Sequence, residues 1–109
     1  MKNQEGTASE NQDTTTGNIT IPFRKPFVFE GNKYTEIKLD LDKLTGKDVI
    51  DAEAEARAMG VRAIMLESAK AYQAIIAAKA AGVSVDLIQA LPAKEFSSVT
   101  GEVQSFLLE

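Results

Sequence analysis

The side chains of this chain that carry chemistry are carboxylates, hydroxyls and amines, because it has no histidine and no cysteine. Asp40 and Asp42 stand two apart, as do Glu53 and Glu55, and Asp48, Asp51 and Glu55 recur at i, i+3, i+7. That last spacing is one face of a helix, and clustered carboxylates suit a hard cation such as Ca²⁺ or Mg²⁺. It is also the pattern of a solvated helix face, where acids near the N-terminus gain from the helix dipole, and Lys47 and Arg57 accompany it. The solvated face is the reading taken, with no metal site. Ser97, Ser98 and Ser105 could serve as nucleophiles only with an activating base. Without histidine that leaves Lys94 for a Ser–Lys pair, and surface serines on an amphipathic helix describe the same residues more simply. Thr45-Gly46-Lys47 echoes the end of a phosphate-binding loop. The closest glycines, Gly6 and Gly17, are eleven apart, so no glycine-rich cradle exists. No catalytic, cofactor-binding or metal residue is therefore assigned, no cofactor is expected, and the chain reads as non-enzymatic.

Composition narrows the class further. The 109 residues amount to one ordinary domain or less. Twelve basic against sixteen acidic residues give a net charge of −4. Nucleic-acid binders need a basic face to displace counterions, so nucleic acid is not an expected partner. Missing cysteines exclude disulfides and, with the missing histidines, ordinary zinc sites. The longest apolar run, Ala74–Ala78, is far short of the roughly 20 residues that span a bilayer. The stretch from Met1 to Gln12 has no apolar core of the secretory kind. An acidic, soluble protein of the intracellular type, with no membrane partner, is expected.

The elements that would position these residues follow from hydrophobic periodicity. Residues 1–18 hold almost no apolar side chains, so they cannot offset a backbone ordering cost of about 1–2 kcal/mol per residue and read as a disordered tail. Leu108-Glu109 resembles a cloning scar. Residues 19–107 then form a single α+β domain. Ile19–Leu41 reads as β structure, a small hairpin or meander. Pro22 and Pro26 make the first part an edge or a lead-in, and Ile37, Leu39 and Leu41 alternate with charged residues in the second. The turn falls at Gly31-Asn32. A two-residue loop there would set Phe29 opposite Tyr34 and turn Phe27 and Phe29 away from Ile37 and Leu39. An odd loop or a bulge around Glu30–Lys33 would put all four on one buried face. Burying a Phe is worth about 1.5–3 kcal/mol, so the odd loop is expected.

Three to four helices follow. Thr45-Gly-Lys-Asp48 has the form of a capping box. It opens a helix over 47–59 with a stripe of Val49, Ala52, Ala56 and Met59, ended by Gly60. A second, longest helix is expected over 62–81, some 30 Å at 1.5 Å per residue, carrying Ile64, Met65, Ala71, Tyr72, Ile75 and Ile76. Ser84 caps a short helix over 85–91, and Pro92 suits the first turn of a last helix over 93–107. Phe96, Val99, Val103 and Phe106, with Leu107 alongside, form a clear apolar stripe. Phe96 and Val99 read as core. The chain-terminal end, Val103, Phe106 and Leu107, supplies the candidate partner-binding residues, since an amphipathic helix laid into a groove is a recurrent binding mode.

These segments occur in a recognisable order. Lys25-Pro-Phe-Val-Phe-Glu-Gly31, Tyr34-Thr-Glu-Ile-Lys-Leu39 and Leu44-Thr-Gly-Lys-Asp48 resemble the opening of a phage tail assembly chaperone. Leu91-Pro-Ala-Lys-Glu-Phe96, Val99-Thr100 and Val103-Gln-Ser-Phe-Leu107 resemble its close. The resemblance covers residues 19–107 and implies a non-enzymatic assembly factor of tailed phages and prophages. Its implied partners are the tape measure protein and the tail tube protein. The implied place is the host bacterial cytoplasm, with the protein absent from the mature virion. No binding residue is carried over from the family, and a monomer is the expected state. The competing readings are a structural tail completion or head–tail connector protein, and a small enzyme working with carboxylates alone.

Overall fold

The computed structural model describes residues 18–109. The expectation of a disordered tail falls outside those residues, except that Asn18 already opens the first strand. An antiparallel hairpin, β1 (Asn18–Phe29) and β2 (Asn32–Asp40), is followed by four helices: α1 (Gly46–Ala58), α2 (Lys70–Ala81), α3 (Val85–Ala90) and α4 (Ala93–Leu108). The α+β class and its hairpin-then-helices order are as expected. One cluster of buried residues runs through every element, from Ile21 and Leu39 in the hairpin to Val99 and Val103 in α4.

The hairpin corrects the expected register. Its loop is Glu30-Gly31, two residues long, with Phe29 opposite Asn32 and Phe27 opposite Tyr34. Both loop residues have positive φ, 49° and 82°, the geometry whose twist matches a two-residue hairpin. The odd insertion lies further down: from Pro22 (opposite Glu36) to Phe27 (opposite Tyr34) β1 takes five steps while β2 takes two, an excess of three residues. By the pleat, Phe27 and Phe29 share the face of Tyr34, and Ile37 and Leu39 share that of Ile19 and Ile21. The two faces need not compete for the aromatic rings. Phe27 and Phe29 stack on each other, Phe23 meets Phe27 edge-on, and all three pack against the core half-buried. The bulge fits the two prolines, which cannot donate to a ladder.

The capping box is present in both directions. Asp48 N–H donates to Thr45 Oγ1 and Thr45 N–H donates to an Asp48 carboxylate oxygen at 2.9 Å. The other end of α1 is a Schellman turn, with Gly60 N–H donating to the Arg57 carbonyl, Val61 N–H to that of Ala56, and Gly60 at φ 89°.

The expected helix over 62–81 is shorter than its apolar pattern suggests, at 12 residues. Residues 61–69 are a loop with one 3₁₀ turn at Leu66–Ser68, and α2 begins only at Lys70. The longest helix is instead α4, with 16 residues. The loop lets Leu66 reach the core at 5% exposure while Ile64 and Met65 face outward. In a continuous helix Leu66 would have lain over Lys70 and Gln73. α2 is buried without a break from Tyr72 to Ala78, because it is the central helix, with α1, α3, α4 and β2 packed around it. Burial, with the nearby Glu67 and Glu53 charges adding to it, pushes the Tyr72 phenol above its ordinary pKa. Ser84 accepts from Leu87 N–H and opens α3. Pro92 is the residue before α4 rather than within its first turn, and its carbonyl accepts from Phe96 N–H at 2.9 Å.

Candidate functional site

The acidic cluster is tied up in local pairs. Asp48 closes the helix cap, and the hydrogen bond from Thr45 N–H is the main reason its carboxyl lies below the usual range. Asp51 accepts from Lys47 Nζ at 2.9 Å, an i, i+4 pair. Glu55 reaches across to Lys79 on α2 at 3.0 Å. Among the described residues no three His, Cys, Asp or Glu side chains gather as a cation site. Ser97, Ser98 and Ser105 are exposed on α4, and none is hydrogen-bonded to Lys94 among the described residues. The strongest polar arrangement involves residues that the sequence did not single out. Glu95, on the first turn of α4, is 5% exposed. Its carboxylate accepts from the backbone N–H and Nε of Arg24, both at 3.1 Å, and from Nη2 at 3.5 Å. These bonds hold the Glu95 carboxyl below the ordinary carboxylate range. The bulge thus has a structural task, since it aims an N–H and a guanidinium of the same residue at α4. A recess of about 440 Å³ opens beside this pair, walled by Phe23, Pro26, Phe27 and Pro92.

A second polar clamp joins the 61–69 loop to α4. Gln73 is fully buried, and its Nε2 donates to the Glu67 carbonyl at 2.7 Å and to Gln104 Oε1 at 2.8 Å. Its own Oε1 has no partner among the described residues. Lys70 Nζ donates to Thr100 Oγ1 at 3.4 Å. Gln104 also lines a shallow depression with Ser105, Leu108 and Glu109. The loop, Gln104 and the last turn of α4 therefore form one continuous stretch of surface.

The three candidate partner-binding residues occupy different depths on this stretch. Val103 is fully buried, with Val99, and contributes no surface. Phe106 and Leu107 are half-buried against the core. The fold leaves other apolar side chains in solvent: Leu108 at 48% exposure, Met59 and Met65 at about half, and Ile64 wholly exposed. Met59, Ile64 and Met65 had been expected on buried helix stripes. The missing helical turns put Ile64 and Met65 outside, and Met59 is outside at the C-cap of α1.

The segments that carry the resemblance are now structural parts in sequence: the arm of the hairpin past the bulge, β2, the capping box, the Pro92 turn and the α4 stripe. A family model described as "Phage tail assembly chaperone proteins, E, or 41 or 14" matches residues 20–108, nearly everything described. The chain belongs to the phage tail assembly chaperone family. No curated protein and no solved structure matches it. Membership as a tail assembly chaperone implies phage tail proteins as partners and a role during virion assembly in the host. It also suggests a role without catalysis. Among the described residues no helix is long and apolar enough to cross a membrane.

Proposed function

We propose that this chaperone binds the tape measure protein before the tail tube polymerises around it, in the host cytoplasm, and leaves before the virion is complete. Tail tube protein is its second partner, and no catalytic step is involved. The family match over residues 20–108 carries this reading. The surface supports it: half-buried Phe106 and Leu107 are followed by exposed Leu108, and Ile64 and Met65 are exposed on the 61–69 loop, which α4 packs against. A long helical partner with apolar surface to shield would find there an apolar strip between polar rims, the usual anatomy of helix-in-groove binding. An isolated aliphatic side chain left in water forgoes about 1.5–3 kcal/mol of burial, which a partner can recover.

The test is co-expression with the tape measure protein. Phe106→Ala/Leu107→Ala should lower the yield of soluble tape measure protein. Because both residues also touch the core, Ile64→Asp/Leu108→Asp is the cleaner variant. It should reduce the yield while leaving the thermal melt unchanged, and an unchanged yield for both variants sinks the proposal. Fractionation of mature particles completes the test, since the chaperone should be lost from them, whereas a tail completion or connector protein would stay.

A further inference from the structure

We propose that the free edge of β2 is where two copies of this chain pair, antiparallel, about a two-fold axis at Ile37. The two strands of the hairpin have edges of opposite character. β1 is blunted by Pro22 and Pro26 and by the Phe23–Pro26 bulge, which also carries Arg24 and Lys25. Those are the devices that keep an edge strand from recruiting a neighbour. β2 has no proline and no bulge across its nine residues, and its edge charges, Lys33, Glu36, Lys38 and Asp40, are of both signs. The sheet has two strands, and among the described residues no main-chain hydrogen bond other than those of the β1–β2 ladder reaches residues 33–39. Half of the β2 main-chain donors and acceptors therefore point away from β1.

The charges on β2 select a second copy as the occupant. Glu36 and Lys38 are exposed on the same face and lean on each other at 3.8 Å along the strand. With Ile37 opposite Ile37 of the second copy, Glu36 falls opposite the second copy's Lys38, and Lys38 opposite its Glu36. Tyr34 falls opposite Asp40 at both ends. Sliding the pair by one pleat repeat sets Glu36 against Glu36 one way and Lys38 against Lys38 the other, and like charges directly opposite are unfavourable. The register is thus specified by charge as well as by the pleat. The outcome is a four-stranded sheet with β1 of each copy on the outside, blunted edges outward.

The experiment is sedimentation of the full chain over a wide concentration range, with three variants. The wild-type chain should move from 11.8 kDa toward twice that mass. Glu36→Lys and Lys38→Glu should each weaken the association roughly tenfold or more, because each replaces two attractions by two repulsions. Glu36→Lys/Lys38→Glu should restore it to within about threefold, since the swapped pairs are again opposite in sign. In parallel, alternate β2 amides should exchange more slowly as concentration rises. A chain that stays monomeric throughout, or a double swap no better than the single variants, overturns the proposal. So does a monomeric chain whose Glu36→Lys variant loses its tape measure protein, because the edge would then belong to a different strand.

Discussion

Glu30 is a non-glycine residue held at φ 49°. The left-handed region costs an ordinary L-residue about 1–2 kcal/mol, and Asn tolerates it best after glycine. Glu30→Asn, which restores the Asn-Gly pair preferred in two-residue hairpin loops, should therefore stabilise the protein by about 0.5–1 kcal/mol, read as a higher melting temperature. No gain would mean that the Glu30 side chain contributes something at the loop that Asn lacks. Glu95 sets a pH dependence. Its folded carboxyl is held below the unfolded value by the Arg24 hydrogen bonds. A depressed pKa contributes stability that is fully present above the unfolded value, about 4.3, and is lost as pH falls through the folded one. Glu95→Gln cannot titrate, so its stability should fall less steeply below about pH 4 than that of the wild-type chain. Parallel acid limbs for the two proteins in urea melts would contradict this.

Among the elements, the 61–69 loop divides residues of one apolar type into opposite roles. Leu66 is buried and Ile64 is not. Leu66→Ala should cost about 2–4 kcal/mol, whereas Ile64→Ala should stay within about 0.5 kcal/mol. Had the stretch been helical with Ile64 and Met65 on its apolar stripe, Ile64 would have been the costly position and Leu66 the tolerant one. Urea titration of both variants reads the contrast directly. The cap of α1 is a smaller local contribution: Thr45→Ala removes the acceptor for Asp48 N–H and should cost about 1 kcal/mol. The hairpin illustrates how an element can be right in kind and shifted in detail. Alternation of Ile37 and Leu39 with charged residues marks β2, which ends at Asp40, one residue short of the expected Leu41, where a 3₁₀ turn begins. Register depends on where an odd insertion falls, and the prolines absorb it at Phe23–Pro26, not in the turn.

For the whole molecule, α2 acts as the hub, with its Tyr72–Ala78 stretch buried on every side. Buried alanines at 74, 77, 78 and 80 let α1, α3, α4 and β2 approach it closely. Ala77→Leu should therefore destabilise by about 1–3 kcal/mol through overpacking, although it adds apolar volume. A rise in melting temperature would show slack around the hub that the packing does not suggest. The residues that anchor α4, Val99 and Val103, face inward, and exposed apolar side chains sit at its end and on the 61–69 loop, so substitutions there should separate the proposed partner binding from stability.

Local chemistry made much of this legible beforehand. Period two along β2, the Thr45–Asp48 box, Gly60, Ser84 and the Pro92 start of α4 each depend on residues within a few positions of one another. Those interactions form wherever such sequences occur, and the order of these segments matched a family. What lay beyond the sequence depended on contacts between residues far apart. Arg24 and Glu95 are 71 positions apart and Gln73 and Gln104 are 31 apart, so neither pair has a local signature. Met59, Ile64 and Met65 have the hydropathy of core residues. Ile64 and Met65 became surface because the 61–69 stretch is a loop that sends Leu66 to the core, and only the packed structure decides between such equally apolar choices. Val103 shows the converse: one stripe at helical spacing supplies both core and candidate surface, and depth along α4 separates them.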